Sequence, residues 1–324
     1  SLIRPDDFLL EEVAGTVGDD EFTLSGQLGR GDGFRGTDLN VVLRGPGLHS
    51  LAFLIGQPDL PADPRRAPGA LDFPAGPFQL SGRLRRTARG ISVSGSRLEV
   101  AGASGNADIE LALPADPLNA RFNIEIRGTD AARIWQGRHN INFGTQPFSV
   151  DLRGTANRTL VQLDNGVLRV GEDKLTLSGQ VGRGDQFRGT DLDMVLQGPD
   201  LERLALRVGQ PDRGRAPGAL DFPAGPFQLS GRLRRPARGI SVSGSRLEVA
   251  GAAGKADIDL ALPASPLDAR FDIRISGSNA AAVWKGRYNI EFGEKPFSVN
   301  LRGAYSDQLR QLDAGMLNVG ESEL

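Results

Sequence analysis

Few side chains in this sequence have the types and spacing that chemistry requires. Histidine occurs only at His49 and His139, and cysteine is absent. The chain is internally duplicated, and the duplicate carries Glu202 and Tyr288 where the histidines stand. A catalytic or metal-binding imidazole would be expected in both copies. Without Cys, and with unmatched His, there is no zinc site and no Cys/His or Ser/His nucleophile arrangement. No catalytic residue, metal or cofactor is expected, and the chain is read as a non-enzyme.

Other constellations have ordinary readings. Gly31-Asp32-Gly33-Phe34-Arg35-Gly36 fits the glycine pattern of a dinucleotide loop, but strand-like segments flank it on both sides and the duplicate has Gln186 in place of Gly33. It is read as a hairpin turn. Arg30-Gly31-Asp32 and Arg183-Gly184-Asp185 lie on that turn, and adhesion through such loops is the third-ranked function. Asp108 with Glu110, and Asp257 with Asp259, alternate on a strand and face water together. The basic group Arg83, Arg85, Arg86 and Arg89 recurs as Arg232, Arg234, Arg235 and Arg238. It is either a charge-blunted sheet edge or, through Arg83, Arg85, Arg232 and Arg234, a contact for anionic lipid head groups. Trp135 and Trp284, the only tryptophans, occupy equivalent positions. Each either plugs the apolar face beneath a helix or lines the path of a bound acyl chain.

The elements that would position these groups are repeated strands. Gly76-Pro77-Phe78-Gln79-Leu80-Ser81-Gly82-Arg83-Leu84 returns as Gly225-Pro226-Phe227-Gln228-Leu229-Ser230-Gly231-Arg232-Leu233. Degenerate versions start at Pro147-Phe148 and Pro296-Phe297. Apolar side chains at every second position mark a strand with one buried face. Residues 66–127 match residues 215–276 at 53 of 62 positions. Further alternating segments follow each Pro-Phe strand: 91–94, 97–100, 107–111 and 122–126. They predict about five antiparallel strands per unit. A capping residue, a short apolar run and a glycine then predict a helix, as in Asp130, Ala131 to Gln136 and Gly137. Leu48 to Ile55 and Leu201 to Val208 are read likewise. An odd number of strands ends opposite its start, so helix and linker are expected to cross back over the sheet.

The expected fold is all-β: an elongated, twisted antiparallel sheet or groove of repeated units, each closed by a short crossing helix. The expected boundaries are a partial unit at 1–56, units at 57–137, 138–209 and 210–286, and a partial unit at 287–324. The chain begins at Ser1 without Met and stops in mid-unit, and so reads as a piece of something longer. Pairing with neighbouring copies through open sheet edges is the other expectation at the ends.

Composition bounds the partners. The chain has 324 residues, 39% of them hydrophobic and only 6% aromatic, so its apolar surface is mainly aliphatic. A formal net charge of −2 implies no bulk attraction to nucleic acid, and none is expected as a partner. No run of about 18 apolar residues is present to span a membrane as a helix. The alternation places on the order of forty aliphatic side chains on one face. A monomer rarely leaves such an area bare. The sheet either closes as a sandwich or forms a trough lined by Phe78, Leu80, Leu84, Ile109, Leu111, Phe122, Ile124, Trp135, Phe148, Val150, Phe227, Leu229, Phe271, Ile273, Trp284 and Phe297. Phospholipid or another acyl lipid would cover it.

The strand ending in Gly at Leu192 to Gly198, the helix start Pro199-Asp200-Leu201-Glu202-Arg203-Leu204, the Pro-containing linker and the strand Pro226 to Leu233 resemble the AsmA-like, TamB-like repeats of bacterial envelope proteins. The resemblance implies a repeating β-groove that moves phospholipid between membranes. It also implies a location in the periplasm or cell envelope of a Gram-negative-type bacterium, with the cell surface as the alternative. The expected function is non-enzymatic lipid binding or transfer. The runner-up is a structural repeat protein, a rod or surface filament whose apolar faces are closed as a sandwich.

Overall fold

The computed structural model describes residues 8–47, 75–112, 119–135, 144–183, 187–207, 225–236, 239–261, 268–284, 293–306, 310–320 and 322–323. His49, His139, Arg238, the segment 48–55 and the linker that follows it lie outside these residues, as do the placements of the Trp135 and Trp284 side chains. The chain is all-β, as expected.

Two compact units divide it. The first comprises Ser1–Arg138, Phe143–Gly171 and Arg183–Gln186, and the second comprises His139–Asn142, Glu172–Gly182 and Phe187–Leu324. In the first, β1 (Phe8–Val17), β2 (Asp20–Leu28), β3 (Asp38–Gly47), β4 (Ala75–Arg86), β5 (Gly90–Val100), β6 (Ala103–Ala112), β7 (Asn119–Gly128), β8 (Phe148–Asn157) and β9 (Leu160–Val170) pair antiparallel, each with the next. In the second, β10 (Asp173–Gly182), β11 (Thr190–Gly198), β12 (Phe227–Arg235), β13 (Gly239–Val249), β14 (Ala252–Ala261), β15 (Asp268–Gly277), β16 (Phe297–Ser306), β17 (Arg310–Val319) and the short β18 (Ser322–Glu323) do the same. Among the described residues of either unit, the closest strand-to-strand contacts fall on sequence neighbours, as in an antiparallel meander.

Two expectations need correction. The segments 91–94 and 97–100 are not two strands but the halves of β5, joined through an irregularity between Val93 and Ser96. Gly95 there has φ 59°, and its N–H donates to Asp108 Oδ1 at 2.8 Å. Gly244 and Asp257 repeat this at φ 61° and 2.7 Å. A bulge adds one residue and flips the side-chain phase. Apolar positions therefore change from odd (Ile91, Val93) to even (Leu98, Val100), which in a sequence looks like a break.

The second correction follows from the first. Four strands, β8 to β11 or β12 to β15, separate successive helical connections. An even number returns the chain to its starting side. Gly128 at the end of β7 lies opposite Phe148 at the start of β8, and Gly277 opposite Phe297. Each connection therefore joins the neighbouring ends of adjacent strands, and the strand count calls for no crossing.

Three short helices are described: α1 (Ala131–Trp135), α2 (Leu201–Arg207) and α3 (Ala280–Trp284). Their capping residues are those the sequence suggests. Asp130 Oδ1 accepts from Ala132 N–H at 3.0 Å, Asp200 Oδ1 from Arg203 N–H at 3.2 Å, and Asn279 Oδ1 from Ala282 N–H at 3.0 Å. Their first residues are tied to the approach of the next Pro-Phe strand: Ala131 N–H to Gln146 O and Ala280 N–H to Lys295 O, both 2.8 Å, and Leu201 N–H to Gly225 O, 3.1 Å.

The packed core is a strip at this end of the strands. In the first unit it holds Phe78, Val100, Ala103, Ala131, Phe148 and Val170, and in the second Ala252, Ala280, Val283, Phe297 and Val319. Each Pro-Phe ring lies across a glycine on the strand before it. A Cβ on Gly45, Gly277 or Gly198 would stand 2.6–2.8 Å from a ring carbon of Phe78, Phe297 or Phe227, and Gly128 meets Phe148 in the same way. On its other side each ring's residue pairs with a valine: Phe78 with Val100, Phe148 with Val170, Phe227 with Val249, Phe297 with Val319. The preceding proline, unable to donate a backbone hydrogen bond, accepts one through its carbonyl. Ala101, Gly171, Ala250 and Gly320 donate to Pro77, Pro147, Pro226 and Pro296 at 2.8–3.3 Å.

Candidate functional site: an open aliphatic face

Beyond the strip the same face continues half-buried, its nearest residues, Leu43, Leu80, Leu98, Ile126 and Val150, packed against the strip. Antiparallel register sets the aliphatic side chains in rows across the strands: Leu43, Leu80 and Leu98; Ile109 and Phe122; Ile124 and Leu152; Ile126 and Val150. The second unit has Leu196, Leu229 and Leu247, then Ile258 and Phe271, Ile273 and Leu301, Ile275 and Val299. Side chains on one face of a sheet pack edge to edge this way, which leaves their outer surfaces free.

The proposed lining residues split into two groups. Phe78, Phe148, Phe227 and Phe297 are 4–5% exposed and belong to the packed strip. Leu80, Leu84, Leu111, Phe122, Ile124, Val150, Leu229, Phe271 and Ile273 are half-buried, and Ile109 is 41% exposed. This second group forms the accessible face. The sequence reading did not single out the polar side chains set into it. Ser96 and Ser245 are 2% and 3% exposed, and each lies against a glycine, Gly82 or Gly231, where a Cβ would come within 2.7–2.8 Å of the serine Oγ. Asp20 and Asp173 stand beside Gly45 and Gly198, next to the Phe strip. Their signal in the sequence is faint: one polar residue where the alternation calls for an apolar one.

The arginines lie on the opposite face and are engaged. Arg83 grips Asp38 with both ends of its fork, Nε to Oδ1 at 2.5 Å and Nη2 to Oδ2 at 2.7 Å, and Arg85 Nε stands 3.3 Å away. Arg232 grips Asp191 at 2.6 and 2.8 Å, with Arg234 at 3.5 Å. Asp272 sits likewise between Arg274 and Arg302, at 3.2 and 2.9 Å. The hydrogen bond from Arg83 outweighs the opposing desolvation and, with the charges of Arg83 and Arg85, holds the Asp38 carboxyl below its ordinary range. Arg232 and Arg234 do the same to Asp191. The first cluster sets two arginines against one carboxylate, with Asn40 opposite Arg83, while in the second Asp193 stands opposite Arg232 and balances the charge.

One hollow of about 440 Å³ reaches the proposed lining at Leu111, beside Ile91, Ser92 and Arg121. An open cleft of about 660 Å³ is lined by Asp19, Arg44, Pro77, Glu99, Gly102 and their neighbours, and its duplicate of about 430 Å³ by Pro226 to Gln228 and Glu248 to Ala253. Both are mixed in polarity, so an apolar ligand is better matched by the open face. Among the described residues no group of His, Asp and Glu is placed to hold a metal ion. Among them, too, no helix is long and apolar enough to cross a membrane.

The fold and this surface define a class: an all-β protein of repeated antiparallel strands, with one face aliphatic and one charged. No family model, curated protein or solved structure matches the chain.

Proposed function

We propose that the chain is a non-enzymatic lipid-binding protein of the AsmA-like kind, whose aliphatic face carries phospholipid acyl chains while head groups stay toward solvent. The observation that carries this reading is the half-buried face itself: aliphatic rows whose residues stay partly accessible, with Ile109 41% exposed. Bare aliphatic surface of this extent calls for a cover. A mobile acyl chain fits rows of Leu, Ile and Val, because dispersion contacts are non-directional. The proposed setting is the envelope of a Gram-negative-type bacterium. The buried Phe rings anchor the helices, and the carrying surface is Leu80, Leu84, Leu111, Phe122, Ile124, Val150 and their counterparts.

The test is lipid extraction of the purified protein followed by mass spectrometry. Stoichiometric phospholipid is expected, and a well-folded sample free of lipid overturns the reading. A second reading, a structural repeat whose apolar faces close against one another as a sandwich, is favoured by the 53 identities over 62 positions. Ile124→Asp separates the two. On a lipid-carrying face the charge meets water and the variant folds but loses lipid. Inside a sandwich it is buried unpaired and the variant unfolds.

A further inference from the structure

The sharpest anomaly outside the aliphatic face is at the loops joining β2 to β3 and β10 to β11. Phe34 is 64% exposed at φ 60°, and Phe187 is 50% exposed at φ 58°. Left-handed backbone is unfavourable for a bulky side chain, and glycine is the residue that adopts it freely. An exposed ring gains nothing in folding to offset this. Both copies nevertheless hold Phe here, although the residue before it differs, Gly33 in one and Gln186 in the other.

The loops present their rings firmly. Buried Thr37 donates from Oγ1 to Phe34 O at 2.7 Å and accepts from Gly29 N–H at 3.1 Å. Buried Thr190 makes the same bonds with Phe187 O and Gly182 N–H, at 2.7 and 3.1 Å. Gly36 and Gly189 donate to Arg86 O and Arg235 O, at 2.9 and 3.0 Å, which ties each loop to the next strand. No other apolar residue stands between Gly31 and Gly36. Exposed Arg30 and Arg35 flank the first ring and Arg89 lies on the turn after β4, against the single acid Asp32. Exposed Arg188 follows the second ring.

We propose that Phe34 and Phe187 are interfacial anchors that dock the protein on an anionic phospholipid bilayer. Each ring enters the head-group boundary, and the arginines beside it meet lipid phosphates. An exposed ring with cationic neighbours matches that boundary, where aromatic side chains and basic residues are both favoured. A protein partner would instead be met by a wider apolar patch with a packed centre. Arg30 itself lies over the ring of exposed Phe8, 4.7 Å from its centroid, so at the first ring the phosphate contacts fall to Arg35 and Arg89. This inference is independent of whether the aliphatic face carries acyl chains.

The test is co-sedimentation of the full chain with vesicles of phosphatidylcholine alone or mixed with phosphatidylglycerol. Binding is expected to the mixed vesicles, weakening as salt rises. The double variant F34G/F187G is expected to lose binding tenfold or more while its melting temperature holds or rises, because glycine accepts the left-handed backbone. Equal binding by the double variant overturns the proposal. So does equal binding to both kinds of vesicle. A wild type that ignores both assigns the rings to a protein contact instead and also overturns it. F34G/F187G should still co-purify with whatever lipid the wild type carries, read by mass spectrometry, so a failure of the lipid-carrying face and a failure of the anchors give different results.

Discussion

The Phe strip and the open face lie on the same side of the same strands, and only one of them is packed. In the strip, Phe148 is 5% exposed and Ala131 is fully buried. A few residues along, Ile124 and Val150 are half-buried, and Ile109 on the strand beside them is exposed. Residue type does not account for the contrast, since both regions alternate aliphatic with polar. What differs is cover. Among the described residues, the helix N-termini are bonded to the backbone just before the strands of Phe148, Phe227 and Phe297, and they shield that end. Packing here is a property of where the connections land. A face that alternates perfectly can still be left to a ligand.

The comparison can be broken most forcefully with truncations. Phe297→Ala in the strip is expected to lower stability by about 3–5 kcal/mol, since a buried ring leaves a cavity. Ile273→Ala on the open face should cost less than about 1.5 kcal/mol, because water or lipid already reaches that side chain. Thermal and denaturant unfolding of the two variants checks this, and equal losses would mean the open face is packed after all.

Crowding the strip comes next. Gly277→Ala places a methyl 2.6 Å from the Phe297 ring and should destabilise by about 1–3 kcal/mol. Phe297→Leu added to it should recover part of the loss, as the smaller side chain gives room. If the two effects simply add in unfolding measurements, ring and glycine are not in contact.

A smaller effect is expected at the bulge. Asp257→Ala removes the acceptor for Gly244 N–H and should cost about 1 kcal/mol. Hydrogen exchange at Gly244 should quicken while amides of the strip stay protected.

The charged face should matter least. The Asp38 and Asp191 carboxyls are held low chiefly by hydrogen bonds from Arg83 and Arg232. A depressed folded-state value contributes stability that is complete above the ordinary carboxylate range and lost as pH falls through the lowered value. The double variant D38N/D191N should therefore flatten the acid side of the stability–pH curve and change little at neutral pH, since exposed pairs contribute weakly. A large loss at neutral pH would make these clusters structural keystones.

The sequence by itself determined the all-β class, the strand starts at the four Pro-Phe pairs, the helix caps at Asp130, Asp200 and Asn279, and which side chains share a face. All of these depend on local rules: period-two alternation, proline's missing donor and the cap's hydrogen bond to its own helix. The tertiary structure alone decided the rest. The bulge at Gly95 hid one strand as two, because its stabilising partner, Asp108, comes from the next strand. Removing that false break made the count even and turned a crossing into a connection between neighbours. The split between packed strip and open face also lay beyond the sequence, because burial depends on what is placed over a residue. Phe34 and Phe187 read as turn residues until the backbone showed a strained, exposed ring in each copy. A turn's dihedral angles answer to hydrogen bonds made by the chain beyond it, and the residue type alone does not reveal them.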